Sequence, residues 1–152
     1  MIKTKDTTTD HYKALQSILG KKYVRGTVES PFDFINMASK GINANIIVNF
    51  RNHFKIPREA AAEMLNVSEP TVYRWVRENK KLDRNYSIQL FELTDLFLTG
   101  IDVFQSQENF FKWLELPNTA LGNLRPKELL EIPGGVAKVK DLLGRIEYGV
   151  YS

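Results

Sequence analysis

The 152-residue chain contains no cysteine. That excludes a disulfide framework, a thiolate zinc site and a cysteine nucleophile, and it suits a reducing compartment. Histidine is nearly absent: His11 and His53 are the two in the chain. His11 falls in the stretch read as a frayed helix start, and His53 reads as a surface or helix-end residue rather than a base. No Asp/Glu/His cluster has metal-ligand spacing, and Gly134-Gly135 lacks the context of a phosphate loop. Catalysis, a bound metal and a cofactor are therefore not expected. No apolar run approaches membrane-spanning length. The opening MIKTKDTTTDHYK has no apolar stretch that could serve as a signal peptide, so a cytoplasmic protein is expected. Strand-length alternation is also missing, as are internal repeats, and low complexity is confined to the N-terminal threonines. An all-α fold is what remains.

What is present supports a packed core. Hydrophobic residues make up 43% of the chain and aromatics 11%, enough for one domain or two small ones. The net charge of +3 is unevenly spread. Residues 1–84 carry 15 Lys/Arg against 9 Asp/Glu, a balance of +6, and residues 85–152 carry 6 against 9, a balance of −3. A basic front can meet phosphates, whereas an acidic back is better suited to a protein partner or to solvent.

The most informative stretch is REAAAEMLNVSEPTVYRWVR, residues 58–77. Glu59 to Leu65 has three consecutive alanines and no β-branched residue, which favours helix. Asn66 tolerates the left-handed conformation that ends a helix. Ser68 is a good N-cap, and Pro70 sits in the first turn, where a missing N–H costs nothing. A second helix is predicted from Glu69 to about Asn79. Ala61, Leu65, Val67, Val72 and Trp75 fall where two such helices touch, with Ala62 small at their crossing. The pattern is a helix-turn-helix, with Glu69, Pro70, Tyr73, Arg74 and Arg77 on the outer face of the second helix. A helix so presented can place its N-terminal residues at base edges in the major groove. The plainer alternative is a helical hairpin in a bundle, with Arg74 and Arg77 as solvated charges. The DNA-contact candidates are Ser68, Glu69, Thr71, Tyr73, Arg74, Arg77 and Lys80, with Arg74 and Arg77 foremost. Lys80, Lys81 and Arg84 are placed for backbone phosphate.

Along the rest of the chain, residues 1–10 read as frayed. A short helix is predicted over His11–Leu19, ended by Gly20. Lys21–Gly26 is either an arm that touches DNA or a covering segment, the second slightly favoured. Ser30-Pro31-Phe32-Asp33 marks a helix start. Phe32, Phe34, Ile35 and Ala38 form its apolar side. Asn43 caps a helix running to Phe54, with Ile46, Ile47, Phe50 and Phe54 facing inward. A long helix is predicted from Asp83 to Gly100, which ends it, and Asp102 then caps Val103–Leu114. Residues 116–123 form a loop. A short helix follows over Lys127–Glu131, and the last runs from Val136 to Tyr148, with Val136, Val139, Leu142, Leu143 and Ile146 on one face. The tail RIEYGVYS is unusually apolar for a chain end. By periodicity alone it folds back on its own domain.

The order Trp113-Leu114, Pro117-Asn118-Thr119-Ala120-Leu121-Gly122, Pro126, Leu129-Leu130, Gly135, Val139 and Leu142-Leu143-Gly144-Arg145-Ile146-Glu147-Tyr148-Gly149-Val150-Tyr151 resembles the toxin-binding domain of Xre/ParS/MbcA-type antitoxins. Residues from about Ser30 to Gly100 are similar to the upstream part of the same proteins. Two positions depart from the pattern: Asn123 stands for a second glycine, and Asn66 for the usual turn glycine. The resemblance implies a type II antitoxin whose partner is a RES-domain toxin, an NAD-depleting enzyme related to ADP-ribosyltransferases. It implies a C-terminal domain that covers the toxin, and Arg145, Glu147, Tyr148, Gly149, Val150, Tyr151 and Ser152 at the toxin's active-site cleft. It also implies promoter binding as a homodimer. The expected organisation is an extension at 1–29, a helix-turn-helix domain at 30–84 and a toxin-binding domain at 85–152. The competing reading is a stand-alone repressor whose C-terminal domain only dimerises.

Overall fold

The computed structural model describes the backbone of residues 5–149 and the side chains of residues 10–149. Packing divides the chain into two units, Met1–Phe91 and Glu92–Ser152. The break lies seven residues beyond the 84/85 position at which the charge balance changes sign, and residues 85–91 carry no charge.

The first unit begins with α1 (Lys5–Leu19), which packs on α3 (Asn45–Phe54). α1 starts at Lys5, so residues 5–10, expected to fray, extend the helix, and residues 1–4 lie outside the described region. Asn49 Nδ2 donates to the Leu19 carbonyl at 2.7 Å and satisfies an orphan acceptor at the end of α1. Residues 20–28 cover this pair. Val24 and Val28 are buried, and Gln16 Nε2 donates to the carbonyls of Val24 (2.6 Å) and Gly26 (2.7 Å). In α2 (Pro31–Ala38) the Asp33 carboxylate accepts the N–H groups of Glu29 and Ser30. Phe34 and Ala38 face the core, and Phe34 stacks on Phe91 at 4.3 Å. Phe32 and Ile35 do not: Phe32 is 74% exposed and Ile35 is exposed too. At 100° per residue position 32 lies about 160° around the helix from 34, whereas Ile35 shares a face with Ala38 and is exposed because the packing leaves it uncovered.

Within α3, Ile46, Ile47, Phe50 and Phe54 are all buried, as their spacing predicts. Next come α4 (Arg58–Met64) and α5 (Glu69–Arg77). A two-residue antiparallel ribbon, β1 (Ile42–Asn43) with β2 (Lys81–Leu82), joins the chain before α3 to the chain after α5, in the register Ile42↔Leu82 and Asn43↔Lys81. Strands this short carry no readable alternation, so the sequence did not announce them. Apart from an isolated bridge between Asn118 and Leu124, the remaining regular structure among the described residues is helical.

α6 (Arg84–Phe104) contributes to both units and runs through Gly100 without a break. The expected stop at Gly100 is therefore a correction. Gly100 is buried, and a Cβ there would lie 2.2 Å from Phe110 Cε1, so glycine admits the aromatic ring. The real stop is Gln105, at φ 59°, after which Ser106 rather than Asp102 caps α7 (Gln107–Leu114). The second unit is completed by a 3-10 turn at Thr119–Leu121, α8 (Pro126–Leu129) and α9 (Gly135–Glu147). Leu93, Leu96, Phe97, Phe110, Leu130, Val139 and Leu143 are fully buried at its core. Asn123, in place of a glycine, takes φ 69°.

Candidate functional site

The candidate residues fall on two surfaces: the outer face of α5 in the first unit and the end of α9 in the second.

α4 ends in a Schellman arrangement. Asn66 sits at φ 58°, its N–H bonds the Glu63 carbonyl at 2.9 Å, and the Val67 N–H bonds the Ala62 carbonyl at 3.1 Å. Asparagine supplies the left-handed residue that glycine would otherwise provide. Ser68 Oγ then accepts the Thr71 N–H at 3.3 Å and contacts Thr71 Oγ1 at 2.7 Å, capping α5. Ala61, Ala62, Leu65 and Trp75 are buried where the two helices meet, while Val67 and Val72 are half-buried. The Trp75 ring lies 5.0 Å from that of Tyr86. α5 ends as α4 does, with Asn79 at φ 51° and the Lys80 N–H on the Trp75 carbonyl at 2.9 Å.

This packing leaves Ser68, Tyr73, Arg74 and Arg77 exposed, with Glu69, Thr71 and Lys80 half-buried. Tyr73 is 62% exposed, and the Arg77 guanidinium lies 5.8 Å from its ring centre. Beside this face is a groove of about 500 Å³ lined by Val48, Arg51, Arg58, Glu69, Val72 and Tyr73. The sequence reading passed over Arg51 and Arg58. They lie on α3 and α4 and share a groove with Glu69 only through the packing of those helices on α5, so no local pattern marks them.

In the second unit, α9 buries Val136, Val139, Leu142 and Leu143, and Ile146 is half-buried. Gly135 lets α9 start against α8, because a Cβ there would sit 1.6 Å from the Leu129 carbonyl oxygen. Ala137, Lys140, Asp141, Gly144, Arg145 and Tyr148 line a shallow groove of about 570 Å³ on the outer side. Arg145 pairs with Asp141 at 3.2 Å, and Lys140 with Asp95. Partial desolvation pushes the Glu92 carboxyl above its ordinary range; Lys140 pulls it back down, and Asp95 adds to the rise. Tyr148 is 79% exposed, Glu147 and Gly149 are exposed, and Gly149 takes φ 72°. Val150, Tyr151 and Ser152, the last three tail candidates, lie outside the described residues.

Charge pairing differs sharply between the units. Five of the six Lys/Arg side chains of the second unit, at positions 112, 125, 127, 140 and 145, form ion pairs. Among the described residues of the first unit, no Lys or Arg does. No three His, Cys, Asp or Glu residues among those described converge as metal ligands, and no described helix is long and apolar enough to cross a membrane.

Residues 99–149 match the family model described as the antitoxin Xre/MbcA/ParS C-terminal toxin-binding domain, and residues 37–85 match a homeodomain-like domain. The chain is 23% identical over 141 residues to Antitoxin Xre of Yersinia enterocolitica serotype O:8, covering 92% of each protein. It is 26% identical over 132 residues to the Prs ADP-ribosylating antitoxin of a Sphingobium species, covering 81% of this chain and 83% of that one. A chain in the crystal structure of the M. tuberculosis MbcT-MbcA toxin-antitoxin complex shares the fold, with a TM-score of 0.53 and 19% identity over 72% of this chain and 96% of that one. The chain thus carries an Xre/MbcA/ParS-type C-terminal antitoxin domain over residues 99–149, preceded by a homeodomain-like helix-turn-helix domain over residues 37–85.

Proposed function

We propose that this antitoxin neutralises a RES-domain, NAD-depleting toxin through its C-terminal region and represses its own promoter through α5. In this reading residues 85–152 bind the toxin, residues 30–84 bind DNA as a homodimer, and residues 1–29 form an N-terminal extension. The observation that carries the toxin half is the 79% exposure of Tyr148 at the end of α9. A chain end that served only its own core would bury that ring, since a tyrosine brings a large apolar area. Arg145, Glu147, Tyr148, Gly149, Val150, Tyr151 and Ser152 form the plug. A dinucleotide site is expected to be basic and partly apolar, and a tail carrying a carboxylate and tyrosine rings answers both features.

The DNA half is supported by the exposed, ion-pair-free Arg74 and Arg77 on the outer face of a well-capped helix. Ser68, Glu69, Thr71 and Tyr73 are the remaining candidates at its base-facing end, with Lys80 on phosphate.

The test is co-expression with the neighbouring reading frame, followed by co-purification and a measurement of cellular NAD. The reading expects a stable complex and NAD restored by the antitoxin. A neighbour that neither binds nor depletes NAD would refute the toxin assignment, and a stand-alone repressor would then be the better account.

A further inference from the structure

Four cations from separate parts of the sequence meet at the β1–β2 ribbon. Lys81 sits in β2 opposite Asn43, and the Ala44 N–H donates to the Lys80 carbonyl at 2.8 Å. A Cβ at Gly41 would lie 3.0 Å from Lys81 Cβ, so the backbone next to Lys40 runs close beside the Lys81 stem. Lys40, Gly41 and Ile42 line a surface groove of about 410 Å³ together with Arg25. The backbone around Arg25 is held on both sides by Gln16, through the carbonyls of Val24 and Gly26. Arg25 Nε donates to the Lys22 carbonyl at 2.9 Å, which leaves the rest of its guanidinium facing outward to solvent.

None of Arg25, Lys40, Lys80 and Lys81 forms an ion pair with a described residue. Asp33 lines the same groove, but its carboxylate is engaged by the N–H groups of Glu29 and Ser30. Asp83, two residues beyond Lys81, lines a separate hollow with Ser39 and Arg84. Like charges gathered on a hydrogen-bonded scaffold repel one another, and a polyanion relieves that repulsion. The ribbon follows α5 after three residues, so the cluster lies directly beyond the end of the helix proposed to read DNA.

We infer that the ribbon edge, with Arg25, Lys40 and Lys81 beside Lys80, is a second phosphate-binding surface that grips the duplex DNA backbone next to α5. This rests on the DNA-binding reading of α5 given above. The segment at 21–26 thus covers the core with Val24 and meets phosphate with Arg25. Contacts of this kind position the protein and add salt-dependent affinity without reading bases.

The test uses the full chain, a duplex from immediately upstream of its own reading frame, and a scrambled duplex of equal length. Binding is measured across a salt series for the parent, for R25Q/K40Q/K81Q and for R74A/R77A. All three positions of the triple variant are exposed, so it is expected to retain the parent's circular dichroism and melting temperature. It should bind both duplexes more weakly by a similar factor, on the order of tenfold. Its slope of log K against log salt should fall by about 2 to 3. R25K/K40R/K81R should bind like the parent. If R74A/R77A abolishes sequence preference while the triple variant keeps the parent's affinity and slope, the ribbon surface is refuted and the α5 reading stands. If the parent binds neither duplex in a salt-dependent way, the DNA reading fails and takes this inference with it.

Discussion

A methyl group added at position 100 would have nowhere to go. Its nearest neighbour is the Phe110 ring, 2.2 Å away. Gly100→Ala should gain about 1 kcal/mol of helix propensity and lose more to overpacking, for a net destabilisation of about 1–2 kcal/mol. Urea denaturation measures it, and an unchanged midpoint would mean that the ring moves aside freely. Asn66 is the opposite case. Its φ of 58° is tolerated by asparagine and natural to glycine. Asn66→Gly should therefore leave stability unchanged or raise it by up to about 1 kcal/mol, whereas Asn66→Val should lower it. At the proposed DNA surface, Arg74→Ala should cost about 1–3 kcal/mol and relax preference at one base position if the side chain meets a base edge. Equal weakening on every sequence would instead mark a phosphate contact.

At the scale of elements, caps decide where helices begin. Ser68 bonds the Thr71 N–H at 3.3 Å, a long bond, so Ser68→Ala should cost about 1 kcal/mol at most and loosen the start of α5. α8 depends on a carboxylate instead. The Arg125 N–H donates to Glu128 Oε2 at 2.8 Å, and this backbone bond, aided by the Arg125 side chain, holds the Glu128 pKa below its ordinary value. A depressed carboxylate pKa stabilises the folded state above the unfolded-state pKa, and that stability is lost as pH falls through the folded-state value. Glu128→Gln should thus melt at a lower temperature than the parent at pH 7, with the gap closing as the medium becomes acidic. A gap independent of pH would show that the ionised carboxylate is not the cause. Elements with caps of this kind were legible: Ser30, Ser68 and the Asn66 turn all lie where the sequence reading put them. The α6–α7 junction was not legible, because Gly100 looks like a terminator in sequence and is a packing residue in space.

For the whole molecule, the partition of charge is the main fact. Among the described residues, the Lys and Arg side chains of the first unit form no ion pairs, whereas the second unit pairs nearly all of its own. Salt should accordingly weaken DNA binding steeply while acting little on toxin binding, and titrating both complexes in one salt series compares them. Deleting residues 148–152 should reduce toxin neutralisation and leave promoter binding intact. Full neutralisation by the shortened chain would remove the plug, though not the wider interface.

The sequence by itself determined the helical class, the helix-turn-helix with its caps and turn, the inward faces of α3 and α9, and the residues that mark the antitoxin domain. These are local properties, set by dihedral preference and by periodicity within a dozen residues. Only the tertiary structure decided that Ile35 faces outward, that α6 passes through Gly100, and that Arg25, Lys40 and Lys81 share one edge. Each of these depends on contact between segments distant along the chain, and a residue's neighbours in space are not written in its neighbours in sequence.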